Sequence, residues 1–97
     1  MQQEIKQVEI EAMMFQNAKR AIRAKPGQVP NGFSVYRRVR DGDGEFLAEW
    51  LADFDSAPMA RKYAIEKARH YGGCRIVDYS VILENANENG TQEARRP

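Results

Sequence analysis

The chain has 97 residues, 42% of them hydrophobic, which is room for one domain around one core and excludes a multidomain machine. With 15 basic and 14 acidic residues the formal charge is only +1, so the global basic excess of a non-specific nucleic-acid binder is missing. Cys74 is the sole cysteine, which excludes an intramolecular disulfide and permits a reducing compartment.

Met1-Gln2-Gln3-Glu4-Ile5-Lys6 has neither the cationic start nor the apolar run of a secretory signal. No stretch approaches the roughly 18 consecutive apolar residues of a membrane span. These features predict a soluble, cytoplasmic protein without a membrane partner.

Residues 3–24 read as a helix, because Ile5, Val8, Ala12, Phe15 and Ile22 recur at spacings of three and four. Glu4, Glu9 and Glu11 fall early and Lys19, Arg20, Arg23 and Lys25 late, as a helix dipole favours. Pro26-Gly27 would stop it.

Residues 33–54 read as a β-hairpin of strands Phe33–Arg40 and Glu45–Phe54 around Asp41-Gly42-Asp43-Gly44. A four-residue loop sets Arg40 opposite Glu45, Arg38 opposite Leu47, Tyr36 opposite Glu49 and Val35 opposite Trp50. One face then carries Val39, Phe46, Val35, Trp50 and Phe33 toward the core, while Tyr36, Leu47 and Leu51 fall on the other. Phe15, Phe33, Phe46, Trp50 and Phe54 are the expected bulk of that core.

Residues 57–71 read as a second helix. Asp55 or Ser56 is its N-cap, Pro58 fits its first turn, Ala57, Ala60, Ala64, Ala68 and Tyr71 form its inward stripe, and Gly72-Gly73 ends it. Residues 74–84 read as a third strand. From Asn85 the composition turns to Asn, Glu and Gly, which predicts a disordered tail over 85–97 behind a single domain of 1–84. The expected fold is α+β with the order α-β-β-α-β, a three-stranded antiparallel sheet bearing an N-terminal helix and a second packed helix.

Chemistry finds little footing in these residues. His70 and Cys74 lack further ligands for a zinc site. Asp41-Gly42-Asp43-Gly44-Glu45 begins like a calcium loop, but the glycine and glutamate it requires at its sixth and twelfth positions are Phe46 and Ala52. There is no nucleophile in a recognisable setting and no phosphate-cradling glycine loop ahead of a helix. The expectation is a non-enzymatic protein without a cofactor or metal.

Charge order is the remaining signal. Residues 12–40 carry Lys19, Arg20, Arg23, Lys25, Arg37, Arg38 and Arg40 with no acid, and residues 41–55 carry Asp41, Asp43, Glu45, Glu49, Asp53 and Asp55 with no base. Pairing within the hairpin explains part of this, since opposite charges across strands fix register. The sharper reading is an acidic ridge made of those six carboxylates. Alternate strand residues repeat at about 6.6–6.8 Å, close to the phosphate spacing of one nucleic-acid strand, so the ridge suits a basic or nucleic-acid-binding surface. A rival reading uses Arg37, Arg38, Arg40, Arg61, Lys62 and Arg69 to bind nucleic acid directly. A third joins two copies through the N-terminal helix as a structural homodimer.

The hairpin with its DGDG turn at 41–44, Trp50 in its second strand, a capped alanine-rich helix and a final strand resembles small phage and prophage accessory proteins, among them anti-CRISPR proteins. The resemblance spans residues 33–84 and lies in size, topology and composition. It implies a stoichiometric inhibitor that occupies a host protein or nucleoprotein complex, with the acidic run at 41–55 as its contact surface.

Overall fold

The computed structural model describes residues 3–17 and 19–86. Its first element overturns the N-terminal helix expected from the spacing. Residues 3–24 instead form two strands, β1 (Gln3–Asn17) and β2 (Arg20–Arg23), paired antiparallel from Met13↔Arg23 to Asn17↔Arg20. The physical reason lies in the run Gln7-Val8-Glu9-Ile10-Glu11-Ala12. Its polar and apolar residues alternate strictly, so a strand sends Val8, Ile10 and Ala12 to one face and Gln7, Glu9 and Glu11 to the other. A helix would have mixed the two sets. At the turn, the Asn17 side chain accepts from the Lys19 backbone N–H at 2.8 Å, a local bond that stabilises the reversal.

The other strands are β3 (Gly32–Asp41), β4 (Leu47–Phe54) and β5 (Arg75–Asp78), with the helix α1 (Ala57–His70) between the last two. Among the described residues the sheet is five-stranded, not three-stranded, and is ordered β2-β1-β3-β4, with β5 also on β1. The 15-residue β1 is its spine. Along one edge it pairs antiparallel with β3, from Gln3↔Asp41 to Met13↔Gly32. Its other edge is divided between β5, parallel along Gln7–Ile10, and β2, beyond Met13. The fold therefore remains α+β, in the order β-β-β-β-α-β followed by helix.

The alanine-rich helix forms as its sequence predicts. Ser56 is the N-cap, and its hydroxyl accepts from the Met59 N–H at 3.4 Å. Lys67, Arg69 and His70 lie in the last turn against the negative end of the helix dipole. Gly73, at φ +85°, returns its N–H to the Ala68 carbonyl at 2.8 Å, a backbone angle that favours glycine. Ala60, Ala64 and Ala68 are buried against Val8, Ile10 and Val35. These small side chains let the helix lie close on the sheet. Large residues fill the margin instead: Phe33, Leu51, Phe54, Tyr71 and Cys74 are only partly buried against this cluster.

The expected strand over 74–84 is likewise shortened. It ends at Asp78, and residues 79–86 are helical. The Asp78 carboxylate accepts from the Ser80 hydroxyl and from the backbone N–H groups of Ser80 at 3.0 Å and Val81 at 3.3 Å. That is an N-cap, and it converts strand into helix within one residue. Arg61 on α1 holds the same carboxylate at 2.8 Å. The tail expected over 85–97 lies, from residue 87 on, outside the described residues, while 85 and 86 continue the helical segment.

Candidate partner-binding surface

The β3–β4 hairpin forms where its sequence predicts, but its register differs. The pairs are Val39↔Leu47, Arg38↔Ala48, Arg37↔Glu49 and Tyr36↔Trp50, then Val35↔Ala52, Ser34↔Asp53 and Phe33↔Phe54. Relative to the expected pairing the strand is one residue out of step, and a bulge at Leu51 shifts it by one more. Each slip of one residue exchanges the two faces. Trp50 is consequently 57% exposed, whereas Leu51 packs against the core. The expected core face with Trp50 inside and Leu51 outside is overturned. Phe46 also leaves the interior: it is half-buried beneath two cations, with the Arg40 guanidinium 4.6 Å and the Lys6 ammonium 5.5 Å from its ring centre.

The bulge also divides the six carboxylates expected to form one ridge. Asp41, Asp43 and Glu45 are exposed together at the hairpin tip, where Gly42 has φ +56° and the Gly44 N–H closes on the Asp41 carbonyl at 3.1 Å. None of the three has an ion-pair partner among the described residues. Glu49 lies on the α1 side and accepts from Arg37 at 2.6 and 3.0 Å. Asp53 lies on the opposite side, where one oxygen accepts from the Ser34 hydroxyl at 2.6 Å and the Trp50 indole N–H at 2.8 Å. Asp55 is exposed beyond the end of β4. Asp53 and Asp55 share an open cleft of about 460 Å³ with Phe15, Asn17, Asn31, Phe54 and Met59.

The six basic residues of the rival reading are mostly engaged. Arg37 bonds Glu49 and covers the Tyr71 ring, Arg38 bonds Glu9, Arg40 bonds Glu4 at 2.8 Å, and Arg61 bonds Asp78. Lys62 and Arg69 are exposed on α1 without an ion-pair partner among the described residues. Arg37 and Arg38 leave opposite faces of the sheet, so the set does not form one patch. The dimer expected through an N-terminal helix has no such helix to use.

Sequence reasoning missed the most organised polar cluster. On the sheet face away from α1, Arg75 donates to Gln7 at 2.8 Å, Gln7 donates to Glu9 at 2.8 Å, and Arg38 clamps Glu9 at 2.5 and 2.9 Å. Glu9 is 2% exposed. Burial pushes its carboxyl up, but the hydrogen bonds from Arg38 and Gln7 and the Arg38 charge outweigh that and hold it below its ordinary value. Next along β1, Glu11 is pushed up by burial and by Glu9, and Arg23 at 3.6 Å only partly offsets this. The alternating Gln7, Glu9 and Glu11 were the available signal. A carboxylate held ionised by an arginine is a poor general base, so this cluster reads as architecture. No group of three or more His, Cys, Asp or Glu among the described residues is placed to hold a metal ion. No described helix is long and apolar enough to cross a membrane.

No family model matches the chain, and neither do any curated protein or solved structure.

Proposed function

We propose that the chain is a small, non-enzymatic binding protein, a stoichiometric inhibitor that occupies a basic surface of a host protein complex. One observation carries this reading. The hairpin tip presents Asp41, Asp43 and Glu45 without ion-pair partners among the described residues, and the strand that leaves the tip exposes Leu47 and Trp50, at 65% and 57%. Apolar anchors supply contact area, and free carboxylates beside them steer a cationic partner and set its orientation. The inhibitory role is the one implied by the resemblance to anti-CRISPR proteins.

The test is affinity capture from host lysate, with and without nuclease, using the wild-type chain and an Asp41→Lys, Asp43→Lys, Glu45→Lys variant. A protein that survives nuclease and is lost with the variant, while the denaturation midpoint is unchanged, supports the reading. A partner retained equally by both chains removes the acidic tip from it. Capture that depends on nucleic acid favours the basic residues instead.

A further inference from the structure

We infer that the free edge of β4 is a strand-addition site whose occupant is an extended basic segment of a partner protein. The inference rests on the reading above and names how that partner is held. Among the described residues β4 pairs only with β3, so its outer row of backbone N–H and C=O groups has no strand beside it. Proteins normally guard such an edge with a short strand, charged side chains, proline or a bulge. The other free edges follow that rule: β2 is four residues, Arg20-Ala21-Ile22-Arg23, and β5 is four residues and opens with Arg75. By contrast β4 is eight residues, Leu47-Ala48-Glu49-Trp50-Leu51-Ala52-Asp53-Phe54, without lysine or proline. Its guards are the bulge at Leu51 and the carboxylates Glu49 and Asp53, charges that repel an acidic strand but attract a basic one.

Charge selects the occupant. Antiparallel pairing of β4 with a second copy would set the tip carboxylates Asp41, Asp43 and Glu45 at the start of each β4 near Asp55 beyond the end of the other, so a second copy is repelled. The same carboxylates attract an extended segment rich in Lys or Arg. They are placed along its whole path: Asp41, Asp43 and Glu45 at the start, Glu49 in the middle, Asp53 and Asp55 at the end. Eight residues of strand span roughly 26 Å at about 3.3 Å per residue. The path ends beside the cleft that Asp53 and Asp55 line together with Phe15 and Phe54, a setting suited to one cationic side chain. Main-chain hydrogen bonds would supply affinity, and the carboxylates along the edge with the terminal cleft specificity.

The experiment uses the full chain and an eight-residue probe peptide of Lys, Val and Thr with lysines on both faces, together with two forms N-methylated at its odd or its even positions. Binding is followed by titration calorimetry and by amide hydrogen exchange of the chain. Strand addition uses one alternate set of peptide N–H groups. The expected result is at least a tenfold loss for one N-methylated form, little change for the other, and new protection of alternate amides within 47–54. Equal affinity of both N-methylated forms would overturn strand addition and leave the acidic-surface reading standing. No binding by the parent peptide, or a concentration-dependent dimer whose β4 amides are already protected, would also overturn it. The acidic-surface reading is judged separately, by the charge-reversal capture.

Discussion

Arg38 of β3 holds the buried Glu9 carboxylate of β1 with two hydrogen bonds, whereas its chain neighbour Arg37 bonds the half-exposed Glu49 on the opposite face of the sheet. Two adjacent arginines therefore do different work. Removing Arg38 leaves an uncompensated charge in the interior, and Arg38→Ala is expected to destabilise the fold by about 3 kcal/mol. Arg37→Ala removes a solvent-screened pair and a contact with the Tyr71 ring, with an expected loss of about 1 kcal/mol. Removing both partners in Arg38→Met with Glu9→Gln should recover much of the loss. Urea denaturation of the four chains measures this directly, and equal losses for the two single arginine variants would contradict the arrangement.

Glu9 and Glu11 of β1 respond to pH in opposite senses. Glu9 lies below its ordinary value in the fold, so its stabilisation is present above the unfolded value, about 4.3, and is lost as pH falls through the folded value. Asp78, lowered by its Ser80 and Arg61 bonds against the upward push of burial, behaves the same way. Glu11 lies above its ordinary value, so its contribution is present below the unfolded value and lost as pH rises through the folded one. At neutral pH an ionised Glu11 weakens the fold, and its contact with the largely exposed Arg23 returns little. Glu11→Gln should therefore raise the denaturation midpoint at pH 7, and the gain should shrink toward pH 3. A gain that grows on acidification would refute the assignment.

How much of this was legible in the sequence differs between elements. The helix over 57–70 could be read because every cue is local: the Ser56 cap, Pro58, the alanine spacing and the terminal glycines. The spine strand could not be read from a helical spacing of five apolar residues, since that count omitted Ile10, one of the most deeply buried side chains. Taken with Val8 and Ala12, Ile10 restores the two-residue period. Glu9 and Glu11 still argued for the acidic start of a helix, because the arginines that make their place in the sheet tolerable lie farther along the chain, Arg38 among them. The hairpin was legible as a hairpin, but nothing local marks the bulge at Leu51. The carboxylates were visible one by one. Their division between two faces depends on that bulge, and so was hidden.

Gly32 opens β3 where the Phe15 ring crosses the strand. A Cβ at Gly32 would stand 2.1 Å from Phe15 Cε2 and 2.3 Å from Cδ2, so any side chain there displaces the ring. The backbone that carries the ring is held by Asn31, whose side chain accepts from the Phe15 N–H at 2.7 Å and donates to its carbonyl at 2.9 Å. Gly32→Ala is expected to destabilise the fold by roughly 1–3 kcal/mol through overpacking. In a Phe15→Ala background the same change should cost much less, since the ring clash is gone and only the Phe54 carbonyl at 3.3 Å still crowds the added Cβ. A double-mutant cycle on the denaturation midpoint reads the coupling, and additive losses would rule the contact out.

The bulge makes a last pair of expectations about neighbours in the chain. Trp50, the sole tryptophan, is 57% exposed, and its indole N–H meets only the Asp53 carboxylate among the described residues. Leu51, one residue on, packs against the core formed by Val8, Ile10, Val35 and the helix alanines. Trp50→Ala should change stability by less than about 1 kcal/mol, whereas Leu51→Ala should lose roughly 2 kcal/mol through the cavity it leaves. The indole should fluoresce as a solvated one and be quenched by added iodide, although the carboxylate beside it slows that anion. If Trp50 is the apolar anchor of the proposed surface, Trp50→Ala should also weaken a basic partner at least tenfold with the fold intact. A blue-shifted, unquenched tryptophan would place the ring inside, restore the unbulged register, and return Glu49 and Asp53 to a single face.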